Sequence, residues 1–517
     1  MSVESSQRAS APAEVAEIVL AEVRLGMAEH LADQLTLDSR LGELGLDSLA
    51  TMEAVNRIEA IFGIRFTEDS LYDIECCRDL VRCVEERLGR APSVANSPAP
   101  TDAATGQADR AAKTAEGDVT QFAECLAFEK RLADTAAAGL PNPFFRVKQA
   151  VRAATATIRD QAVISYTSFD YLGLSDHPKV VAAAQNAISR YGTSASASRL
   201  VGGNSALLHD LDREVAELVG TEAAVVFPSG YGTNASVLGH LFGADDLILF
   251  DELAHNSIMQ GAQLSPARRR PFPHNDFAFV DRLLKDVRGQ HRRVVIAIEG
   301  VYSMDGDYPD LPGFLDVKRR HEALLYVDEA HSIGVMGPRG RGVCEHFGVD
   351  PGEGDLWMGT ISKALASGGG YLAGRQALVQ YLKYTTPAIV FATATSPANA
   401  AAALTAVRCL HAEPERVTRL RENGALFLKL AADCGLDTGA SHDTPIIPVI
   451  TGSSAKALEL SHRLLSRNID AQPILYPAVP EAKARVRFFI TAHHTEEQIV
   501  HTVQVLAECL GLDGAKA

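Results

Sequence analysis

Lys363 sits among small residues, Gly359-Thr360-Ile361-Ser362-Lys363-Ala364-Leu365, and Ser367-Gly368-Gly369-Gly370 follows. Most lysines are solvated surface groups. One flanked by hydroxyls, beside glycines that let backbone approach a bound group, is placed to use its amine as a nucleophile. Asp328 lies 35 residues upstream. It closes the apolar run Leu324-Leu325-Tyr326-Val327 and opens Asp328-Glu329-Ala330-His331-Ser332. A carboxylate at a strand's carboxyl end can meet a cationic ring nitrogen, and it can also cap a helix. His331, three residues on, offers a donor. Ser229-Gly230-Tyr231-Gly232-Thr233-Asn234 lies between a strand-like run and a helical one, where backbone amides and the helix dipole form an anion site. His255 stands in Asp251-Glu252-Leu253-Ala254-His255-Asn256-Ser257; a lone histidine is more often a core or surface residue. Far upstream, Leu44-Gly45-Leu46-Asp47-Ser48-Leu49 puts Ser48 at a helix start, where serine commonly serves as an N-cap.

Together these residues meet the four needs of pyridoxal 5'-phosphate (PLP): a lysine for its aldehyde, an acid for its pyridine nitrogen, a flat group over the ring and donors for its phosphate. Lys363 and Asp328 fill the first two places. His255 can stack on the ring, and His331 can donate to its phenolic oxygen. Thr360, Ser362 and the 229–234 turn can hold the phosphate.

The elements that must position them read as an α/β fold. Apolar strand-like runs occur at Ala223–Phe227, Leu247–Phe250, Val294–Ile298 and Leu324–Val327. Helical patterns such as Leu207–Val219 and Phe279–Val287 separate them, which predicts a largely parallel sheet with its site beyond the carboxyl ends of the strands. Residues 12–90 read instead as a small all-helical bundle. Val15, Ile18, Val19 and Val23 recur at helical spacing, Leu49, Met52, Val55, Ile58 and Ile61 mark a second apolar face, and a last helix covers about Arg78–Leu88. Residues 91–120 have no aromatic residue, and Val94 and Val119 are their only branched aliphatics. Such composition predicts a flexible linker with a reach of roughly 30 Å.

With 517 residues, two or three domains are expected. The net charge of −16 argues against a nucleic-acid surface. It is unevenly spread: residues 1–90 hold 18 Asp/Glu against 9 Arg and no Lys. Eight cysteines include no C-x-x-C pair, so neither a zinc site nor a disulfide framework is expected, which suits a reducing cytoplasm. No signal peptide and no membrane span are expected, since no apolar run approaches the roughly 20 residues a span requires.

Two resemblances follow from these motifs. Residues 12–90, with the Gly45-Leu46-Asp47-Ser48-Leu49 run, resemble an acyl carrier protein, which implies that Ser48 carries 4'-phosphopantetheine. Residues from about Asn142 to Gln498 resemble the α-oxoamine synthase family of PLP enzymes. The resemblance rests on Asp170-Tyr171-Leu172-Gly173-Leu174-Ser175, Ser198-Arg199, the Glu299–Asp307 run, Val327–Ser332, Ser362-Lys363-Ala364, Pro477-Ala478-Val479-Pro480 and Thr491–Glu496. It implies a PLP fold type I, aminotransferase-like large domain (about 170–400) and a small C-terminal α+β domain (about 401–517). Residues 121–517 form the synthase in this reading, 91–120 the linker and 1–90 the carrier. The family implies that Lys363 holds the cofactor and moves the substrate α-proton, and that Asp328 pairs with the ring nitrogen. It implies His255 on the ring, His331 and Ser303 near the phenolic oxygen or substrate, and Gly230, Tyr231 and Thr360 on the phosphate. Arg487 then receives the amino acid carboxylate through a bidentate fork. Where relatives often carry two more hydroxyls, this chain has Phe391-Ala392-Thr393-Ala394-Thr395-Ser396-Pro397, and Thr393 or Thr395 is the substitute.

The implied activity is PLP-dependent condensation of glycine, alanine or serine with an acyl thioester, with loss of carbon dioxide. The fused carrier points to a donor on the Ser48 arm and to specialised metabolism. Implied partners are a second copy, with the site at the dimer interface, a phosphopantetheinyl transferase, and an acyl-loading enzyme or assembly-line module. Rival readings are an aminotransferase, a non-catalytic scaffold, and a coenzyme A-dependent synthase whose carrier is only a docking module.

Overall fold

In the computed structural model, the residues described are 12–25, 27, 35–39, 54, 55, 57–59, 61–64, 66, 74, 76–88, 118–137, 139, 142–152 and 154–512. The chain divides into two compact units, Met1–Ala138 and Gly139–Ala517. Ser48 and the Leu44–Leu49 motif lie outside the described residues, as does most of the 91–120 stretch.

In the first unit, helices α1 (Pro12–Arg24) and α2 (Cys77–Arg87) pack through Val15, Val19 and Val23 against Leu80, Val81 and Val84. Val55 and Ile58 join that core. Ile61 does not: it is half exposed, and Phe62 packs there instead, four residues from Ile58 and so on its helical face. Arg57 ties its segment to α1 through Glu22 at 2.9 Å. A 3-10 turn (Val119–Gln121) precedes helix α3 (Ala123–Ala137), which buries none of its residues.

The second unit is built on a seven-stranded sheet in the order β4-β10-β9-β8-β7-β5-β6. Its strands are β4 (Ala223–Phe227), β5 (Leu247–Asp251), β6 (Arg268–Phe272), β7 (Val294–Glu299), β8 (Leu324–Asp328), β9 (Leu356–Thr360) and β10 (Gly370–Gly374). Pairing is parallel from β6 through β9, and β10 runs antiparallel to both its neighbours. Both faces are covered. Val226, Leu249 and Ile296 enter one apolar cluster, while their chain neighbours Val225, Ile248 and Val295 enter another. That is why these strands read as continuous apolar runs rather than alternating ones. The carboxyl ends of β4, β5, β7, β8 and β9 thus share one edge with the start of β10.

A three-stranded antiparallel sheet, β11 (Ile446–Ile450), β14 (Arg485–Phe489) and β13 (Gln472–Ile474), carries Arg487. A further sheet joins β1 (Ala150–Arg152), β2 (Thr155–Ile158) and β3 (Gln161–Ser165) to β12 (Ile469–Asp470), so residues 150–165 share a sheet with the C-terminal part of the chain. No described helix is long and apolar enough to cross a membrane.

Candidate active site

A cavity of about 330 Å³ opens at the carboxyl edge of the large sheet. Asp328, ending β8, projects into it nearly fully buried. Its Oδ1 accepts from the Ala330 amide at 2.9 Å and its Oδ2 from the Asn234 carboxamide at 2.7 Å. The same Asn234 nitrogen donates to Ser257 Oγ at 2.8 Å, and Asn234 Oδ1 accepts from the Tyr326 hydroxyl at 2.6 Å. Ser257 Oγ lies 2.7 Å from His255 Nδ1. Because the Ser257 amide also donates to that nitrogen, at 3.3 Å, Nδ1 is the acceptor and Nε2 carries the proton. One buried network therefore orients both the acid and the flat ring of the sequence reading. Glu299, ending β7, accepts from the His255 amide and lines the cavity. Burial, reinforced by the Asp328 charge, pushes the Glu299 carboxyl well above its ordinary range.

Lys363 follows β9 and lines the same cavity. Burial pulls its amine down to about 8, against the opposing pull of Asp328 and Glu299. A substantial neutral fraction near pH 7–8 is what addition to an aldehyde needs. Thr360 Oγ1 lies 2.7 Å from Ser362 Oγ and donates to the Gly369 carbonyl at 2.8 Å. Helix α4 (Gly230–Leu241) starts opposite, capped by Ser229 Oγ, which accepts from the Gly232 amide at 3.1 Å. A side chain at Gly230 would bring a Cβ within 2.9 Å of Thr360 Oγ1. The first-turn amides of α4 thus meet the two hydroxyls across a gap kept open by a missing side chain, a suitable cup for a phosphate.

His331 lines the cavity, and its Nδ1 lies 2.7 Å from the Tyr171 hydroxyl, which leaves Nε2 for a bound group. Burial, and after it the charges of Lys363 and Arg487, hold its imidazole well below its ordinary value, so it stays neutral. Arg487 does not line the cavity, although its charge is felt at Lys363, His255 and His331. It donates from Nη1 to the Ser303 carbonyl at 2.7 Å, lies over the Phe489 ring at 4.5 Å, and leaves its buried Nε without a partner. Burial lowers its guanidinium to about 10, still charged at neutral pH. An orphaned buried donor on a cation is an anion receptor in waiting.

Gly230, Tyr231, His255, Asp328, His331, Thr360 and Lys363 all line the cavity, and Ser303 touches Arg487 through its carbonyl. Tyr231 is at the mouth, half exposed, with its hydroxyl on Asn256 Oδ1 at 3.0 Å and its ring edge toward His255. The Thr395 hydroxyl donates to the Phe227 carbonyl at 3.2 Å. Asn234, Ser257 and Glu299 went unassigned in the sequence reading. Asn234 stands four residues after Gly230, on the same helical face, and Glu299 ends its strand as Asp328 does; both signals were legible. Elsewhere His177, Cys409 and Glu413 bring ligand-type atoms together, but Glu413 is already paired with Arg416 at 2.7 Å and Lys179 at 3.6 Å.

A family model described as aminotransferase class I and II matches residues 162–506, two thirds of the chain. The chain belongs to that family. A second model, described as a phosphopantetheine attachment site, matches residues 23–84. The 8-amino-7-oxononanoate synthase of Symbiobacterium thermophilum is 41% identical over 371 residues, 72% of this chain and 94% of its own. The 8-amino-7-oxononanoate synthase 1 of Bacillus subtilis is 36% identical over 358 residues, 69% of this chain and 91% of its own. Among solved structures, the serine palmitoyltransferase of Sphingomonas wittichii superposes with a TM-score of 0.72 at 28% identity, covering 76% of this chain and 98% of its own. Relatives by sequence and neighbours by structure are both α-oxoamine synthases. The chain is therefore a PLP-dependent acyltransferase of that kind, of fold type I, with a helical phosphopantetheine-attachment domain ahead of it.

Proposed function

We propose that the protein joins the α-carbon of glycine, alanine or serine to the acyl carbon of a thioester carried on its own phosphopantetheine arm at Ser48. The amino acid carboxylate leaves as carbon dioxide, the thiol leaves with a proton, and an α-amino ketone is released. The supporting observation is the buried Lys363 amine, lowered to about 8, sharing a cavity with the anchored Asp328 carboxylate and the neutral His331.

Bound PLP supplies an electron sink for the charge left on the α-carbon. The remaining work falls to the chain. Lys363 holds the cofactor and accepts the α-proton. Asp328, fixed by Asn234, keeps a proton on the pyridine nitrogen. His255 covers the ring, and Nε2 of His331 donates to the phenolic oxygen. Gly230, Tyr231 and Thr360 hold the phosphate, and Arg487 receives the substrate carboxylate. In this reading residues 1–90 are the carrier, 91–120 the tether and 121–517 the synthase, in the cytoplasm, as a homodimer with the site at its interface. A phosphopantetheinyl transferase installs the arm, and an acyl-loading enzyme or assembly-line module charges it. A flexible tether that spans the sites raises the local donor concentration to about millimolar.

Single turnover with an α-carbon-labelled amino acid and the acyl-loaded protein tests the reaction. The expected product has the label bonded to the acyl carbon. A labelled oxo acid with amine exchange overturns the proposal. The relatives named 8-amino-7-oxononanoate synthase and serine palmitoyltransferase favour a second reading, in which coenzyme A carries the acyl group and the carrier only docks. Full activity of Ser48→Ala with the coenzyme A thioester, and no discharge of a loaded arm, selects that reading.

A further inference from the structure

His274 lies outside the cavity between two buried carboxylates, one ending β5 and one on the loop after β7. Its Nδ1 is 2.9 Å from Asp251 Oδ1 and its Nε2 is 2.7 Å from Asp307 Oδ2. Its ring meets the Tyr302 ring edge-on at 4.5 Å, and its backbone amide donates to Glu252 Oε1 at 3.0 Å. A neutral imidazole has one N–H and satisfies one of two flanking carboxylates; the cation satisfies both. Burial alone would lower the group, but hydrogen bonds to Asp251 and Asp307 raise it to about 10.

Each carboxylate leads to a different part of the site. Asp251 ends β5, accepts from the Leu253 amide at 2.9 Å and so shapes the turn that presents His255. Asp307 closes the loop after β7: its carbonyl accepts from the Tyr302 amide at 2.9 Å, and the Gly306 amide donates to the Tyr302 carbonyl at 2.9 Å. Between these points lie the Ser303 carbonyl, which holds Arg487, and the Asp305 carboxylate, which pairs with Arg485 at 2.7 Å. The far side of the loop is held by Thr444, whose hydroxyl donates to the Gly306 carbonyl at 2.7 Å.

We propose that His274 is a positioning residue: bridging Asp251 and Asp307 as a cation, it fixes the Ser303–Asp307 loop so that the guanidinium of Arg487 faces the substrate carboxylate. This rests on the reading of Arg487 as the carboxylate receptor. It makes selective recognition of a carboxylate depend on a side chain that touches neither substrate nor cofactor.

The test compares wild-type holoenzyme with His274→Gln and with Asp307→Asn, which keeps the shape of the loop residue and removes its charge. Spectroscopic titration gives the dissociation constants of L-alanine, glycine and L-serine, and of L-alaninamide, which keeps the amine but lacks the anionic carboxylate. In both variants the amino acids are expected to bind about tenfold or more weakly, as for loss of a hydrogen bond to a charged group. L-alaninamide affinity, acyl-thioester KM and retention of cofactor are expected to stay within about twofold, since none depends on the oriented guanidinium. Equal weakening of amino acids and amide means general disruption and overturns the inference, as does no change in either. Wild-type enzyme that binds no amino acid better than the amide overturns the Arg487 reading beneath it. Wild-type enzyme that discriminates but makes no carbon–carbon bond overturns the proposed reaction alone.

Discussion

Asn234 holds three partners with one side chain, so its truncation leaves Asp328, Ser257 and Tyr326 each short of a hydrogen bond in a buried site. Each such loss costs about 1–3 kcal/mol. Steady-state assays of Asn234→Ala are expected to show kcat/KM down by roughly a hundredfold, as for loss of a preorganised donor in an active site, with weaker cofactor retention on dialysis. Asn234→Asp should be worse, because it sets a second carboxylate against Asp328. Unchanged kinetics in both would mean that the network does not orient the acid. At this scale the sequence revealed the residues whose type is rare for its setting: a lysine among glycines, an aspartate ending an apolar run. It concealed those whose role depends on a partner far along the chain. Asn234 meets Asp328 from 94 residues away, and His274 meets Asp251 and Asp307 from 23 and 33.

The elements explain why the edge is so well formed and where it is vulnerable. Gly306 has φ +71°, and an added Cβ would fall 1.9 Å from the Ile446 carbonyl oxygen. Gly306→Ala is therefore expected to lose about 3 kcal/mol or more by chemical denaturation, combining backbone strain with an immovable clash; a loss under about 1 kcal/mol would contradict the tight joint between that loop and β11. The clamp that joins β5 to the same loop has a pH signature. His274, raised from 6.5 to about 10, contributes stability that is fully present below pH 6.5 and lost as pH rises through about 10. Asp251, Asp307, Glu252 and Tyr302 face it, and none of these is a cation. The melting-temperature gap between wild type and His274→Gln should therefore narrow from pH 6.5 to 10; a widening gap would contradict a protonated clamp. Strands β4, β5, β7 and β8 were legible as apolar runs because both faces of the sheet are covered. Strands β11 and β13 were not, since Pro448 and Pro473 stand inside them and proline argues against a strand. Nor does any local pattern announce that β10 runs antiparallel between β4 and β9.

Across the whole molecule, composition changes along the chain: an acidic first sixth, a stretch whose only branched aliphatics are Val94 and Val119 and which has no aromatic residue, then an α/β chain. The order of strands in the large sheet was not legible, because crossovers place β10 between β4 and β9 and β7 between β8 and β5 irrespective of sequence distance. The proposed reaction couples the two functions in one chain. If Ser48 bears the arm as proposed, Ser48→Ala should abolish turnover of carrier-bound acyl groups, measured as product per loaded protein, while leaving PLP uptake at Lys363 unchanged. Retained turnover would separate the two functions. The most direct test is intact-mass spectrometry of the phosphopantetheinylated, acyl-loaded holoprotein mixed with an amino acid labelled in its carboxyl carbon. The acyl mass is expected to leave the chain only when the amino acid is present, with one labelled carbon dioxide released per acyl group. An acyl group that stays on the arm while the amino acid is consumed would contradict it.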